Sequence, residues 1–141
     1  MSGLDIEKAK EATACEDVPS FAHLHGVDGQ PLFYDVNEHE VKPVGIYVTG
    51  VQSKQHRIIE AQQRKRRLSK KDMTAERAIK DHLARVVNCT TGWEGIHVNG
   101  VPVEPTKENI RTLYVELEWV YDQVVDHMNE HSNFFKNGSS E

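Results

Sequence analysis

The chain contains little cysteine, few aromatic residues and no long apolar run. Its 141 residues include two cysteines, Cys15 and Cys89, and 7% aromatic residues. The cysteines lie far apart and belong to no Cys-x-x-Cys pair, so we expect two reduced thiols rather than a disulfide. No apolar run reaches the ~20 residues of a membrane-spanning helix, and residues 1–16 lack the apolar centre of a signal peptide. We therefore expect a soluble intracellular protein with no membrane partner.

Sequence motifs for common enzyme chemistries are also missing. The chain contains no G-x-S-x-G, no phosphate-binding loop and no H-E-x-x-H. Acidic pairs such as Glu116 with Glu118 and Asp122 with Asp126 fall on the outer side of an amphipathic helix, where solvated carboxylates are the ordinary explanation. We expect neither enzymatic activity nor a cofactor.

Eight histidines raise the question of a metal site. His127 and His131 stand one helical turn apart in the last predicted helix, and His23 and His25 alternate on one face of a predicted strand. A structural zinc site needs about four ligands. Neither pair has a third His or a Cys at a matching local spacing, so we predict no metal ion.

Length and composition indicate one domain with polar ends. With 38% hydrophobic residues the chain can bury a modest core. Residues 1–17 are acidic and poor in apolar residues, and we predict that they form a flexible arm. Residues 18–135 are predicted to be a single α+β domain, and residues 136–141 a flexible tail.

The first half of this domain has the pattern of a small antiparallel β part, within residues 20–52. Asp28 and Gly29 lie between two apolar segments, which predicts a hairpin with a type I′ turn. Residues 44–51, VGIYVTGV, are rich in β-branched residues and are predicted to be a third, central strand.

Two helices are predicted next, at residues 54–69 and 74–88. Ser53 is placed to cap the first helix. That helix has a thin apolar stripe, whose only large members are Ile58, Ile59 and Leu68.

Residues 90–114, TTGWEGIHVNGVPVEPTKENIRTLY, combine several turn and cap signals. Gly92 is predicted to end the second helix. A hairpin is predicted at residues 93–103, with Pro102 marking its second strand as an edge. A single long helix is predicted at residues 107–131, from apolar residues spaced by three and four. The residues to which we assign structural roles are Trp93, Gly95, Asn99, Gly100 and Thr106, with Trp93 as a packing residue and Thr106 as a helix cap.

Charge is distributed unevenly along the chain. The net charge is −5, yet residues 54–71 carry +7, which leaves −12 for the rest. Three explanations of the basic segment are open. It could be a solvated helix without a partner, bind an acidic protein surface, or bind nucleic acid. Because no aromatic residue is interleaved for base stacking and the chain is acidic overall, we do not expect nucleic acid. The candidate partner-binding residues are Arg57, Arg64, Lys65, Arg66, Arg67, Lys70 and Lys71.

Four short motifs follow one another in the second half of the chain. They are Trp93-Gly95-Ile96, Asn99-Gly100, Thr106-Glu108-Asn109 and Asn133-Phe134. Their order resembles that of the tail assembly chaperones of long-tailed bacteriophages, over residues 44–135. The chain has Val51-Gln52-Ser53 at the place where the resemblance leads us to expect Asp-Ser.

This resemblance implies a binding protein without enzymatic activity. Proteins of that family are understood to bind the tape-measure protein and to help load the tail tube protein around it, in the host cell cytoplasm. A second copy of this chain is a further possible partner. One alternative is a structural tail component, such as a tail completion protein, that stays in the virion tail. A second alternative is a nucleic-acid-binding regulator that acts through residues 54–71.

Overall fold

The computed structural model describes residues 3–69, 74–130 and 132–134, without the side chains of residues 12, 13 and 67–69. Within these residues the protein is an α+β fold, as predicted. The helices are α1 (Ile6–Ala14), α2 (Lys54–Ser69), α3 (Ala75–Cys89), α4 (Lys107–Glu116) and α5 (Glu118–Asn129), with a 3-10 turn at Cys15–Asp17. The strands are β1 (Ser20–His23), β2 (Phe33–Asn37), β3 (Glu40–Pro43), β4 (Gly45–Val48), β5 (Thr90–Glu94), β6 (His97–Val98) and β7 (Val101–Pro102).

A three-stranded antiparallel sheet in the order β1-β4-β5 carries the core on one face. The prediction that β4 is central is therefore confirmed. Ile46 of β4 lies opposite Ala22 of β1 on one side and opposite Trp93 of β5 on the other. Alternate residues of β1 and β4 are buried on this face. Helix α5 contacts β1 and β4, and α3 contacts β5, α2 and α4. The core therefore lies between the sheet and these helices.

The turn at Asp28-Gly29 is present, but the predicted pairing around it is wrong. β1 pairs with β4, and β2 pairs with β3 in a separate two-stranded sheet. Only a short stretch next to the turn pairs, where the Leu32 N–H donates to the Leu24 carbonyl oxygen. A local turn signal does not specify which distant strand a segment joins, and the apolar strand β4 needs a neighbour on each side.

The conformation of this turn also differs from the predicted type I′. Gly29 has a φ of +84°, but Asp28 does not adopt a positive φ. The Gly29 N–H donates to the Gly26 carbonyl, and the Gly26 N–H donates to the Gln30 carbonyl. These bonds define a three-residue loop that ends in a left-handed glycine. At the second hairpin both Asn99 and Gly100 have positive φ, at 50° and 81°, as a type I′ turn requires.

The end of α3 differs from the prediction that Gly92 caps it. The helix ends at Cys89, Thr90 is already extended, and Gly92 lies inside β5 opposite Tyr47. The Thr90 hydroxyl donates to the Val86 carbonyl at 2.8 Å and also contacts the Tyr114 hydroxyl at 2.7 Å. A β-branched residue with its own hydrogen bond to the last turn lets the chain pass directly from helix to strand.

The predicted single helix at residues 107–131 is wrong, because the chain breaks into α4 and α5. Leu117 lies at the break, with φ −119° and ψ 81°. The break changes which residues face the core, since Val120, Val124 and Met128 are buried whereas Leu117 is exposed. A 3.6-residue periodicity fits both arrangements, so the spacing of apolar residues did not reveal the break.

No helix in the described part of the chain has the length and apolarity needed to cross a membrane.

Candidate protein-binding surface

Two acidic residues of the 3-10 turn hold the start of α2. The Glu16 carboxylate accepts a hydrogen bond from the Gln52 N–H at 2.9 Å, and the Asp17 carboxylate accepts one from the Lys54 N–H at 2.6 Å. The Ser53 hydroxyl oxygen accepts from the His56 N–H at 3.2 Å. The bonds to Lys54 and His56 satisfy N–H groups that a helix start leaves without partners, and the bond to Gln52 holds the segment just before it. The two carboxylates also favour the positive end of the helix. The segment predicted to be a flexible arm therefore includes residues that are attached to the body.

An open groove lies between α1 and α2. Its larger part has a volume of about 400 Å³ and its extension along α2 about 370 Å³, and Lys54 and Arg57 line both parts. We call this surface the α1–α2 groove. Its lining residues are Leu4, Ile6, Ala9, Lys10, Ala14, Asp17, Lys54, Arg57, Ile58 and Ala61.

Three large aliphatic side chains in the α1–α2 groove are exposed. Leu4 is 84% exposed, Ile6 66% and Ile58 58%. Single exposed aliphatic residues are common, but several in one groove are typical of a contact surface for another molecule.

The charged residues of the α1–α2 groove are mainly basic. Lys10, Lys54 and Arg57 are exposed, and the one carboxylate among the described lining residues, Asp17, is bonded to the backbone of α2. Lys10 makes a 3.8 Å contact with Glu7, and both side chains are largely in solvent, where such a pair contributes little. The groove therefore favours a ligand that is apolar on one side and acidic at its margins.

The predicted basic residues of α2 whose side chains are described do not all lie in one patch. Arg57 lines the α1–α2 groove, and Lys65 is exposed. Arg64 pairs with Glu60 at 3.3 Å within the helix. Arg66 instead contacts Asp81 of α3 at 3.1 Å. The side chain of Arg67 and residues 70 and 71, the predicted Lys70 and Lys71, lie outside the described residues.

The thin apolar stripe of α2 has a structural explanation. Its buried side is polar, with Gln63 donating to the Asp81 carbonyl at 2.7 Å and Glu60 pairing with Arg85 at 3.3 Å. Gln55 accepts a hydrogen bond at its carbonyl from the Asn88 side chain at 3.0 Å. Because these contacts attach α2 to α3, Ile58 is not needed in the core and remains exposed.

Sequence reasoning missed the α1 half of the groove. The sequence places Leu4 and Ile6 in the predicted acidic arm and does not mark Lys10 as a binding residue. The available signal was the presence of two large aliphatic residues in a segment that is otherwise polar. Two such residues close together in a polar segment are one sign of a contact surface.

A polar cluster lies where α2, α3 and α5 meet. Burial lowers the pKa of His56, and the Glu60 carboxylate opposes this effect. Burial also lowers the pKa of His82, as does the Arg85 guanidinium. His82 is hydrogen-bonded to the Tyr121 hydroxyl, and burial raises the pKa of Tyr121 to about 12. The His82–Tyr121 and Glu60–Arg85 contacts tie the helices together, and none of these groups lines the α1–α2 groove.

The described histidines that were candidate metal ligands make hydrogen bonds within the fold. Both ring nitrogens of His127 are engaged, with the Ser20 hydroxyl at 2.9 Å and the Asn133 amide nitrogen at 3.1 Å. His131 lies outside the described residues. His23 contacts the Leu32 carbonyl at 2.9 Å. In the described part of the chain no group of three or more His, Cys, Asp or Glu side chains could hold a metal ion.

The residues with predicted structural roles lie at the junction of the sheet and α4. Trp93 is half-buried, packs against the core, and donates from its indole nitrogen to the Val103 carbonyl at 2.7 Å. Gly95 has a φ of +80°, and a Cβ there would lie 2.5 Å from the Tyr34 ring. The Thr106 hydroxyl oxygen accepts from the Asn109 N–H at 3.1 Å and caps α4. Asn99 and Gly100 form the hairpin turn described above.

Comparisons with known proteins found no match to a protein-family model, to a curated protein or to a solved structure.

Proposed function

We propose that this protein is a tail assembly chaperone of a long-tailed bacteriophage, and that its α1–α2 groove binds a helical segment of the tape-measure protein. The observation that carries the proposal is the grouping of Leu4, Ile6 and Ile58, all exposed, beside basic side chains. The order of motifs between residues 93 and 134 supports the choice of family. On this proposal the protein is not an enzyme and uses no cofactor. It acts in the host cell cytoplasm and brings the tape-measure protein to the tail tube protein.

The form of the groove suits an amphipathic helix. Such a helix lays an apolar face into a groove, with anchor side chains at successive turns. Burying three aliphatic side chains gives a gross gain of about 4.5–9 kcal/mol, at about 1.5–3 kcal/mol each. The loss of translational and rotational freedom removes much of this gain. The result is reversible binding, which a chaperone needs because its client has to be released.

Capture of the tape-measure protein tests the proposal directly. The chain is co-expressed with the tape-measure protein encoded in the same genome and is purified by an affinity tag. We expect co-purification, and we expect Ile6→Asp/Ile58→Asp to abolish it because two anchors of the groove become charged.

A matched control separates loss of the groove from loss of apolar surface. Val27→Asp/Val41→Asp also replaces two exposed aliphatic residues, at positions outside the groove. This control should still capture the tape-measure protein. Equal capture by the Ile6→Asp/Ile58→Asp variant would refute the role of the groove.

Mass spectrometry of purified virions distinguishes the proposed function from that of a structural tail component. A chaperone leaves before the particle is complete, so the chain should be present in the infected-cell lysate and missing from the virions. A stoichiometric amount in the virion tail would instead favour a tail completion protein.

A further inference from the structure

A second surface, unrelated to the α1–α2 groove, lies where α2, α3 and α4 converge. It is a cleft of about 450 Å³. Four of its side chains are basic, one from α2, two from α3 and one from α4. We call it the three-helix cleft, and its lining residues are Arg66, Arg77, Lys80, Asp81, Leu83, Ala84 and Arg111.

Among the residues that the structure describes, carboxylates neutralise the positive charge of the three-helix cleft only in part. Asp81 is the one carboxylate among its described lining residues, is 3% exposed, and contacts Arg66 at 3.1 Å. The side chains of Arg77, Lys80 and Arg111 make no hydrogen bond or ion pair with any residue that the structure describes. Three cations brought together in this way repel one another, in a chain whose net charge is −5. An anionic ligand would relieve that repulsion.

An apolar groove adjoins the three-helix cleft. It has a volume of about 240 Å³ and shares Leu83 with the cleft. Ile79 and Val115 line it and are 69% and 65% exposed. Glu118 also lines the groove, so its charge is opposite to that of the cleft.

We propose that the three-helix cleft and this groove together form a second binding site, which takes an acidic segment of a partner protein. Two or more carboxylates of the segment lie among Arg77, Lys80 and Arg111. A large aliphatic side chain of the same segment packs over Leu83, between Ile79 and Val115. Glu118 repels carboxylates at the far end of the groove and so fixes the direction in which the segment binds.

The surroundings of the cleft favour a protein segment over nucleic acid. Bases are held by exposed aromatic side chains, but Tyr114 is buried beside the groove and the Tyr121 hydroxyl is bonded to His82. Ile79 and Val115 match an aliphatic side chain and have no counterpart in a sugar–phosphate backbone. A phosphate chain that extended along the groove would also meet Glu118.

Fluorescence anisotropy with a labelled synthetic peptide tests this site on the full chain. The peptide is alanine-based and helical, with two glutamates one turn apart and a leucine one turn beyond them. We expect saturable binding that weakens as salt is raised. Replacing both glutamates by glutamine should weaken it by about tenfold, because the charge-assisted contacts are lost. Replacing the leucine by alanine should weaken it by about fivefold, through lost apolar burial.

Variants of the protein locate the binding on its surface. Arg77→Glu/Lys80→Glu/Arg111→Glu should weaken binding of the peptide by about tenfold or more. The matched control is Lys8→Glu/Lys42→Glu/Lys107→Glu, which makes the same change in charge at exposed positions outside the cleft. Lys80→Ala/Arg111→Ala alters only exposed side chains, and it should weaken binding in the same direction if the triple variant does not fold.

Three results would overturn the proposal. The first is equal weakening by the two triple variants, since binding would then follow net charge alone. The second is tighter binding of a single-stranded oligonucleotide whose charge equals that of the peptide. The third is displacement of the labelled peptide by inorganic phosphate at concentrations similar to those at which unlabelled peptide displaces it. The site would then recognise a simple anion. Because the ligand is synthetic and the α1–α2 groove is unchanged, none of these results bears on capture of the tape-measure protein.

Discussion

The indole nitrogen of Trp93 donates a hydrogen bond of 2.7 Å to the carbonyl oxygen of Val103. Trp93 belongs to β5 in the central sheet, and Val103 follows β7 shortly before the Thr106 cap of α4. The Val103 N–H in turn donates to the Ile96 carbonyl at 3.0 Å. One side chain therefore joins the sheet to the end of the second hairpin, at the point where the chain enters α4.

Substitutions at Trp93 are expected to destabilise the fold in two steps. Trp93→Phe keeps most of the apolar contact and loses the hydrogen bond, so it should lower the free energy of unfolding by about 1 kcal/mol. Trp93→Ala also loses the packing of the ring, and the total loss should be ~3 kcal/mol. Urea denaturation measures both. An unchanged midpoint for Trp93→Ala would mean that the ring is free to serve as a binding residue.

Gly50 is expected to tolerate no side chain, because Glu16 occupies that space. A Cβ at Gly50 would lie 2.2 Å from the Glu16 carboxylate and 2.8 Å from its Cβ. Gly50→Ala should therefore displace Glu16 from the Gln52 N–H and lower the free energy of unfolding by about 1–3 kcal/mol. Gly92→Ala is the matched control, since the nearest atom to a Cβ there is 3.9 Å away. Similar denaturation midpoints for the two variants would contradict this account.

Stability is expected to fall in mild acid because of His127. Burial lowers the pKa of His127 below 6.5. The Asn133 amide nitrogen donates to both the His127 Nδ1 and the His127 carbonyl, so its orientation is fixed and Nδ1 is left as an acceptor. A proton on Nδ1 would face a donor. The folded state therefore favours neutral His127, and its contribution to stability is present above about pH 6.5 and is lost as the pH falls below that value.

Urea denaturation between neutral and mildly acidic pH measures this effect. Burial lowers the pKa of His56 and His82 as well. The free energy of unfolding of the wild type should therefore decrease as the pH is lowered. The slope should be smaller in His127→Gln. His39→Gln serves as a control at an exposed position. A His127→Gln slope equal to that of the wild type would show that His127 does not contribute.

Local signals in the sequence predicted a large part of the fold. The span of α2, the cap at Thr106 and the turn at Asn99-Gly100 each depend on residues that are close together in the chain. The pairing of β1 with β4 depends instead on contacts between distant segments, which no local pattern encodes. The break at Leu117 was hidden because the apolar residues on both sides keep helical spacing.

The candidate sites were predictable only in part, for a related reason. The basic residues of α2 were visible as a run of charge, but the run does not show that Arg66 turns towards Asp81. Leu4 and Ile58 line adjoining parts of the α1–α2 groove, and the bonds from Glu16 and Asp17 hold the chain just after α1 at the start of α2. The three-helix cleft combines Arg66 of that run with two cations from α3 and one from α4, and these three are not conspicuous in the sequence.

Arg66 and Lys65 are expected to differ in their effect on stability, although they are neighbours in the basic run. Arg66 contacts Asp81, whose carboxylate is almost fully buried. Arg66→Glu would place a second negative charge beside Asp81 and should lower the free energy of unfolding by about 1–3 kcal/mol. This loss is smaller than that for a fully buried pair, because the Arg66 side chain is partly in solvent. Lys65→Glu, at an exposed position, should have little effect. Equal thermal denaturation of the two variants would mean that the contact with Asp81 is not stabilising.

Residues 54–71 are expected to bind nucleic acid only weakly. Within this run Arg64 is paired with Glu60 and Arg66 with Asp81, so part of its charge is already neutralised inside the protein. Each phosphate that a protein neutralises on duplex DNA lowers the logarithm of the binding constant by about 0.9 per tenfold rise in salt. Because at least two of the eight cations of this run are already paired, the affinity should be low and its salt dependence shallower than eight free cations would give. Gel-shift titrations with duplex DNA and with RNA, each at a low and a moderate salt concentration, measure both quantities. Tight binding that weakens steeply with salt, and that Arg57→Glu/Lys65→Glu abolishes, would favour the nucleic-acid-binding regulator over the chaperone.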